Sequence, residues 1–204
     1  MRIYILEDFK HKDNLVYVVG MPMIKKKLIA YDMANKLGTE VYLEPSDQKN
    51  EIKQVERNPV GEHWLFYLQT ARLAFKVRDI YRARSERRKV MLGMPDTEYV
   101  FTQLAYAGGK LTETEWKSFK EFYQTDVEGN IRENDLVVFL FSDFDEYVSE
   151  IPDASIDTIY EMKLLHEALE SWFFSYKGNK MRIHVNDFKK DSTHYIEQLK
   201  EKVG

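Results

Sequence analysis

The 204-residue chain contains no cysteine, which excludes disulfide bonds and thiol catalysis. It also lacks an apolar run of membrane-spanning length. Its first residues place Glu7 and Asp8 soon after a short apolar stretch, unlike a signal peptide. No internal repeat, low-complexity tract or linker interrupts the sequence. We therefore expect a soluble cytoplasmic protein without a membrane partner.

The net charge and the length of the chain further restrict the class of protein. The formal net charge is −4 and the pI is near 5.8, which argues against broad binding to nucleic acid or anionic membranes. A hydrophobic fraction of 44% predicts a folded globular protein. The length predicts a single domain over residues 1–204, in which residues 1–14 form an N-terminal extension with an extra strand. Abundant Lys, Glu, Ile and Tyr are typical of low-GC bacteria and their phages.

Apolar runs that alternate with helical segments predict the order of the elements. Strands are predicted at residues 15–19, 39–43, 89–92, 136–141 and 181–185, and helices at residues 24–37, 59–84, 96–107, 112–125, 143–150, 156–176 and from 192. Thr112 and Glu115 form a capping box, and Gly38 has the position of a helix-ending glycine. The alternation predicts an α/β fold with a parallel sheet flanked by helices.

The residues after the first buried strand have the outline of a phosphate-binding loop. They read Val18-Val19-Gly20-Met21-Pro22-Met23-Ile24-Lys25-Lys26-Lys27-Leu28, against the pattern G-x-x-x-x-G-K-[ST]. In that pattern glycines let backbone N–H groups converge on phosphate, and the hydroxyl holds Mg²⁺. Gly20 and Lys26 match, but Lys25 replaces the second glycine and Lys27 the hydroxyl. Taken alone, such a junction more often belongs to an ordinary α/β turn.

Four further segments follow in the order and spacing of a known family. They read Leu37-Gly38-Thr39-Glu40-Val41-Tyr42-Leu43-Glu44-Pro45, His63-Trp64-Leu65-Phe66-Tyr67-Leu68-Gln69, Asp135-Leu136-Val137-Val138-Phe139-Leu140 and Leu165-His166-Glu167-Ala168-Leu169-Glu170-Ser171-Trp172. They resemble the second strand, the following helix, the strand before the lid and the helix after it in the deoxynucleoside kinase family. The resemblance covers most of residues 15–203 and implies a P-loop nucleoside-kinase-like architecture of three layers.

The sequence departs from this family at the phosphate end. In the family an Asp-Arg-Ser or Glu-Arg-Ser motif follows the third strand, and the lid carries arginines. The corresponding positions here are Leu92-Gly93-Met94, and residues 151–155 lead directly to the next helix without an arginine. Phosphoryl transfer depends on such positioning and charge stabilisation. These losses predict a homologue with a degenerate phosphate loop and little kinase activity.

The nucleoside end is better preserved. Glu44 matches the catalytic base of the family, which accepts the proton of the 5′-hydroxyl, and Gln69 matches the glutamine that recognises the base. The resemblance therefore implies a nucleoside-binding site at Glu44 and Gln69, with Glu44 at the catalytic position of an inactive enzyme. The alternative is that Glu44 is a solvated turn carboxylate and Gln69 an exposed polar residue of a helix.

Three hypotheses of function remain open. The leading one is a catalytically degenerate homologue that acts as a binding or regulatory protein, with a weak nucleoside ligand and no cofactor. The second is an active deoxynucleoside or nucleotide kinase that uses ATP and Mg²⁺, in which Lys26 contacts phosphate while Lys25 or Lys27 replaces the arginines. The third is a phage or bacterial effector that binds another protein. Because the family usually dimerises through helices flanking the sheet, we expect a homodimer, or a heterodimer with a related kinase, through helix 59–84.

Three groups of charged or ligating residues have structural explanations. The three lysines at positions 25–27 oppose the helix macrodipole, which a bound anion would offset, although a solvated turn is the simpler interpretation. The basic run over residues 78–89 ends a helix, where cations are favoured, so no nucleic-acid partner is predicted. The five histidines are His11, His63, His166, His184 and His194. Their spacing does not match a metal-binding motif, so no metal site is predicted.

Overall fold

Five parallel strands form one sheet in the computed structural model, which describes residues 14–22, 25–43, 46–57, 59–86 and 89–203. The strands are β1 (Val16–Gly20), β2 (Val41–Tyr42), β3 (Val90–Leu92), β4 (Leu136–Phe141) and β5 (Asn179–His184). Their order across the sheet is β2-β3-β1-β4-β5, and every neighbouring pair is parallel. The predicted α/β fold with a parallel sheet is confirmed.

Helices connect the strands within the described residues. They are α1 (Lys26–Lys36), α2 (Ser46–Arg57), α3 (Trp64–Ser85), α4 (Pro95–Ala107), α5 (Glu113–Phe122), α6 (Phe144–Ser149), α7 (Ile156–Ser175), α8 (Val185–Lys190) and α9 (Thr193–Val203). After α5 the chain continues through a π-helical turn at Tyr123–Val127 and a 3-10 turn at Glu128–Asn130. None of these helices is long and apolar enough to cross a membrane, as far as the described residues show.

The sheet is covered on both faces, because successive side chains of a strand point to opposite sides. Val16 and Val18 of β1 pack with residues of α1, α8 and α9. Tyr17 and Val19 pack on the other face with residues of α3, α4 and α7. All but the last residue of β4, which lies between β1 and β5 in the sheet, are buried, as its continuous apolar run predicts. The result is three layers, with the sheet in the middle.

The predicted caps of two helices are confirmed. The hydroxyl of Thr112 accepts a hydrogen bond from the backbone N–H of Glu115, whose carboxylate accepts one from the N–H of Thr112. The residue after the C-cap of α1 is Gly38, whose φ of +66° lies in the left-handed region that favours glycine. Both ends follow from local sequence, so they were readable without the tertiary structure.

The predicted helix over residues 59–84 is wrong at its beginning. Helix α3 begins at Trp64, and the separate helix α2, which the sequence analysis did not predict, precedes this range and ends at Arg57. Gly61, with a φ of +83°, lies in the connection. Within α2 only Ile52 and Val55 are apolar, so its sequence gives little apolar periodicity. The short helix α8 was also missed, and the strand predicted at residues 181–185 is β5 at Asn179–His184. The extra strand predicted in the N-terminal extension lies outside the described residues.

A buried carboxylate joins the first strand to the end of α3. Asp135 accepts hydrogen bonds from the backbone N–H of Leu15 at 2.9 Å, from the N–H of Arg132 at 2.9 Å and from the Arg84 guanidinium at 2.6 Å. Arg84 is therefore a structural cation of the basic run, in agreement with its interpretation as a helix end. Burial and the negative charge of Asp135 raise the pKa of Tyr17, whose hydroxyl donates to the same carboxylate.

Candidate functional site

A cleft opens at the carboxyl ends of β1, β2 and β3, the edge where open parallel sheets bind ligands. It consists of two adjoining cavities of about 340 Å³ and about 160 Å³. Both cavities are lined by Lys27, Lys76 and Leu92, so we treat them as one strand-end cleft. The larger also contacts Gly20, Lys26, Gly93, Thr97 and Glu98, and the smaller contacts Tyr42, Leu43 and Asp79.

Gly20 ends β1 at the floor of the larger cavity. Its φ is +144°, and a Cβ atom there would lie 2.3 Å from the carbonyl oxygen of Leu140 in β4. No side chain fits at that distance, so the neighbouring strand itself requires glycine here. The first glycine of the loop pattern therefore has a structural reason that does not involve phosphate.

Lys26 lies in the first turn of α1 and reaches back to the end of β1. Its Nζ atom donates a hydrogen bond of 2.9 Å to the carbonyl oxygen of Gly20. Burial and the nearby positive charge of Lys76 lower the pKa of Lys26 to about 8, although the carboxylate of Glu98 opposes the shift. The lysine at the position of the loop pattern is therefore held inside the cleft, where an anion would stabilise its charge.

The two neighbouring lysines have different surroundings. Lys25 forms an ion pair of 3.5 Å with Glu150, which directly follows α6. Lys27 lines both cavities, and its Nζ atom lies 5.8 Å from the ring centroid of Tyr31. The structure therefore brings Lys26 and Lys27 to the cleft together with Gly20, whereas Lys25 pairs with Glu150 and is not among the residues that line the two cavities.

Lys76 of α3 is a cleft residue that sequence analysis missed. Its Nζ atom donates a hydrogen bond of 3.1 Å to the carbonyl oxygen of Leu92, the last residue of β3. It also lies over Gly93, since a Cβ atom on that glycine would be 3.5 Å from Nζ. A cation thus stands at the end of β3, where the Leu92-Gly93-Met94 sequence supplies none. The sequence signal that could have revealed Lys76 was its spacing from the predicted site residue Gln69. The two residues are roughly two helical turns apart and so lie on the same side of the helix.

Gln69 is buried, with 6% of its surface exposed, and its Oε1 atom has no hydrogen-bond partner among the residues that the structure describes. It is therefore not the exposed helix residue of the alternative interpretation. A buried amide oxygen without a partner costs free energy, which a ligand that donates a hydrogen bond would recover. Gln69 and Lys76 lie roughly two turns apart and so share one side of α3. Lys76 lines both cavities, whereas Gln69 is not among the residues that line either of them.

The smaller cavity has a polar wall formed by β2 and α3. The hydroxyl of Tyr42 donates a hydrogen bond of 3.1 Å to Oδ1 of Asp79, which is almost completely buried. Burial and the negative charge of Asp79 raise the pKa of Tyr42. Glu44, the predicted base position, lies outside the described residues. The last described residue before it, Leu43, lines this cavity.

The connection between α6 and α7 is as short as the sequence predicts. Helix α6 ends at Ser149 and α7 begins at Ile156. The hydroxyl of Ser155 accepts a hydrogen bond of 3.1 Å from the backbone N–H of Thr158 and so caps α7. The segment in between contains no arginine, so it brings no cation to the cleft.

A separate group of described side chains could hold a metal ion. Asp143, Glu146 and His184 place ligand atoms within 4.8 Å of one another. They come from the segment after β4, from α6 and from the end of β5, so spacing along the chain could not reveal them. Asp143 and Glu146 are exposed, and the amide of Asn186 donates a hydrogen bond of 2.8 Å to Glu146.

Comparison with protein families gives one match. The sequence model of the family described as deoxynucleoside kinase matches residues 25–203, which is more than half of the chain. The matched range begins at Lys25, after the first glycine of the loop. Comparison with curated proteins gives no significant match.

Three similar solved structures are of deoxyadenosine kinase from M. mycoides. The structure with the products dCMP and a flexible dCDP bound has a TM-score of 0.69 at 16% identity, over 92% of this chain and 97% of that chain. The structure with dCTP bound has a TM-score of 0.69 at 17% identity, with the same coverage. The structure with dATP bound has a TM-score of 0.70 at 17% identity, over 93% of this chain and 98% of that chain. These similarities confirm the predicted P-loop kinase fold.

Proposed function

The chain belongs to the deoxynucleoside kinase family, and we propose that it is a non-catalytic member that binds a nucleoside in the strand-end cleft. The observation that carries the proposal is the contrast between the loop lysine Lys26 and the buried glutamine Gln69. At the phosphate end, Lys26 is hydrogen-bonded to the protein's own backbone at Gly20. On α3, two turns before the cleft residue Lys76, Gln69 has a buried oxygen atom without a partner among the described residues.

The phosphate end lacks most of what phosphoryl transfer needs. The loop has Lys27 in place of the hydroxyl that would hold Mg²⁺, and Lys25 is paired with Glu150. No arginine lies in the Leu92-Gly93-Met94 segment at the end of β3 or between α6 and α7. Catalysis of this reaction rests on positioned positive charge and metal, and one arginine can contribute about 10³-fold or more in rate. The combined loss of the hydroxyl and the arginines supports a protein that does not catalyse phosphoryl transfer.

The nucleoside end offers groups suited to a sugar and a base. The amide of Gln69 can both donate and accept, as recognition of a base edge requires. Tyr42 and Asp79 form a polar wall, and Leu43 and Met91 add apolar surface. We propose Gln69 as the base-recognising residue and Glu44 as the residue facing the sugar hydroxyl.

A paired assay tests the proposal. Phosphoryl transfer from ATP with Mg²⁺ should be undetectable for each common deoxynucleoside, whereas at least one nucleoside should raise the melting temperature. A ligand at 100 times its Kd stabilises a protein by about 2.7 kcal/mol, which a thermal shift resolves readily. If none of the nucleosides raises the melting temperature, the proposed binding function is contradicted.

An active kinase is the second candidate, because Lys26, Lys27 and Lys76 all line the larger cavity beside Glu98. Those cations would contact the donor phosphates, with ATP and Mg²⁺ as cofactors. Turnover that disappears in Lys26→Ala but persists in the exposed control Lys120→Ala would establish this function and refute the first.

We further propose a homodimer that uses α3, with a heterodimer with a related kinase as the alternative. Tyr67 and Tyr81 on α3 are 65% and 61% exposed, and Ala74 between them is also exposed. These positions recur every seventh residue and therefore share one side of the helix. Light scattering should give twice the monomer mass for the wild type and the monomer mass for Tyr67→Glu/Tyr81→Glu.

A further inference from the structure

Three side chains that can ligate a metal ion converge beside the carboxyl ends of β4 and β5. Asp143 directly precedes α6, Glu146 lies in the first turn of α6, and His184 is the last residue of β5. Each offers a ligand atom within 4.8 Å of the other two. None of the three lines either cavity of the strand-end cleft. What this cluster binds is therefore independent of the function proposed above.

The two carboxylates of the cluster are not neutralised by a lysine or an arginine. Acidic side chains in the first turn of a helix offset its macrodipole, which by itself accounts for their presence. In the described part of the chain, however, the ion-pair contact of Glu146 is with His184, and Asp143 has none with a lysine or an arginine. Lys25, the lysine that lines the small cavity beside Glu146, pairs with Glu150 instead. A divalent cation would neutralise both carboxylates.

The imidazole ring of His184 lies between two carboxylates without a hydrogen bond to either. Its Nε2 atom is 3.9 Å from Oε2 of Glu146, and its Nδ1 atom is 3.9 Å from Oδ2 of Asp187. Nδ1 is buried and has no hydrogen-bond partner among the described residues. Phe141 packs against the ring edge-on, with the centroids 5.0 Å apart, and so orients it. Histidine ligands of metal ions typically bind with one ring nitrogen and direct the other N–H at a carboxylate, which is the arrangement here.

A small cavity of about 30 Å³ adjoins Glu146 and gives independent evidence for a polar ligand. Tyr147 lines this cavity and is only 3% exposed. Its hydroxyl is buried and finds no hydrogen-bond partner within the described ranges. Buried polar groups in folded proteins are nearly always hydrogen-bonded, and a cavity of this size has room for a water molecule. The unpartnered hydroxyl therefore indicates a polar ligand beside Glu146 that the acidic residues alone do not imply.

The donor atoms select the kind of ion. The cluster offers two carboxylate oxygens and one imidazole nitrogen, and the chain has no cysteine. Imidazole suits Zn²⁺ and similar transition-metal ions, whereas Mg²⁺ and Ca²⁺ prefer oxygen ligands alone. We infer that Asp143, Glu146 and His184 bind one divalent transition-metal ion of the Zn²⁺ type. Zinc sites with three protein ligands keep a water molecule in the fourth position, and this water would give the hydroxyl of Tyr147 its partner.

The present geometry is compatible with this ion after small side-chain rotations. Tetrahedral ligands about 2.1 Å from an ion lie about 3.4 Å from one another, which is closer than the limit of 4.8 Å that the cluster meets. Both carboxylates are exposed, so rotation of their side chains can close the difference. The bound ion would then join α6 to the end of β5.

Calorimetric titration of the chelator-treated protein with Zn²⁺ tests the inference. The wild type should bind one equivalent with a Kd in the micromolar range or below, and its melting temperature should rise because the ligands converge only in the folded chain. Excess Mg²⁺ should not displace the ion. Co²⁺ should bind at the same site and give the visible absorption of a four- or five-coordinate ion. Absence of saturable one-to-one binding would overturn the inference.

Variants assign the binding to the cluster. Glu146→Gln and His184→Gln should each weaken Zn²⁺ binding by about tenfold or more and remove the Co²⁺ absorption. Asp145→Asn is the matched control, since it removes an exposed carboxylate from the same turn of α6 but no ligand of the cluster. His194→Gln likewise removes an exposed histidine elsewhere. Both controls should bind Zn²⁺ as the wild type does.

Two results with these variants would refute the site. Unchanged affinity in folded Glu146→Gln and His184→Gln, as verified by circular dichroism, would show an adventitious ion only. Equal weakening by Asp145→Asn and Glu146→Gln would show that the overall negative charge of α6, and not coordination, attracts the ion. Because Glu146 is exposed, its substitution should leave the fold intact even if His184→Gln does not.

Discussion

The Nζ atom of Lys26 lies 2.9 Å from the carbonyl oxygen of Gly20, the residue that ends β1. In a phosphate-binding loop the lysine at this position reaches the β- and γ-phosphates of the nucleotide. Here a backbone oxygen accepts one of its three hydrogen bonds, so two donors remain for the cavity. The contact places a partly buried cation of α1 at the end of β1, where it lines the larger cavity.

The lowered pKa of Lys26 predicts a specific dependence of stability on pH. In the unfolded chain the pKa is near the reference value of 10.5, and in the folded protein it is about 8. Between these values the unfolded state binds more protons, so the free energy of unfolding rises with pH in that window. Below pH 8 the cost of keeping Lys26 charged in the folded protein lowers the free energy of unfolding by up to about 3 kcal/mol, at about 1.36 kcal/mol per pKa unit.

Urea unfolding of the wild type and Lys26→Met at pH 7, 8, 9 and 10 measures this effect. The free energy of unfolding of the wild type should rise relative to that of Lys26→Met as the pH increases. A difference that stays constant from pH 7 to pH 10 would show that Lys26 titrates normally in the folded state.

Substitution of Gly20 tests the structural role of the first loop glycine. Gly20→Ala should destabilise the protein by several kcal/mol, because its Cβ atom would lie 2.3 Å from the backbone oxygen of Leu140. Overpacking alone typically costs about 1–3 kcal/mol, and an unfavourable φ adds to it. Gly129→Ala is the control, since a Cβ atom there meets no atom within 4 Å. A nearly neutral Gly20→Ala would mean that the sheet tolerates a side chain at this point.

Gln69 should show opposite effects on stability and on binding. Gln69→Leu removes a buried oxygen without a partner, so the free protein should be as stable as the wild type or more stable. Nucleoside binding should weaken by about 1–3 kcal/mol, because the base would lose its polar partner. Gln103→Leu, at an exposed position of α4, should change neither property. Unchanged nucleoside affinity in Gln69→Leu would remove this residue from the site.

Repair of the phosphate loop alone should not produce a kinase. We expect no measurable Mg·ATP binding by the wild-type loop from Gly20 to Lys27, and no turnover by the variant Met23→Gly/Lys25→Gly/Lys27→Ser. The variant recovers the second glycine and the hydroxyl of the pattern and adds a glycine at position 23, but it lacks the arginines that stabilise the transferring group. It also loses the ion pair between Lys25 and Glu150.

Calorimetry with Mg·ATP and a coupled assay of deoxynucleoside phosphorylation check both statements. Micromolar ATP affinity in the wild type that disappears in Lys26→Ala would contradict the first. Phosphorylation by the repaired variant at an ordinary kinase rate would contradict the second.

The buried carboxylate of Asp135 predicts a large loss of stability on neutralisation. Asp135→Asn keeps the shape but removes the charge that faces Arg84, which is 9% exposed. Breaking a buried ion pair by removing one partner typically costs about 3–5 kcal/mol. Glu113→Gln in the exposed pair with Lys117 is the control and should leave the urea midpoint unchanged. A small effect of Asp135→Asn would show that the backbone N–H donors, not the charge, hold this carboxylate.

Local sequence determined most elements of the fold. The apolar run of β4 marked a strand buried on both faces, and the capping box at Thr112 marked the beginning of α5. The alternation of strands and helices was enough to predict a parallel sheet. The order of four sequence segments was enough to identify the resemblance to the family. Helix α2 was missed because a helix with two apolar residues gives little periodic signal, although it packs on α3 in the folded protein.

Only the tertiary structure decided which side chains meet. The sequence placed Lys25, Lys26 and Lys27 together, yet the fold engages Lys25 with Glu150 and brings Lys76 to Lys26. It also buries Gln69, which a helix position alone does not predict. The physical reason is that neighbours along a chain share only local geometry. Charges fifty residues apart interact when the packing of α1 and α3 against adjacent strands directs them into one cavity.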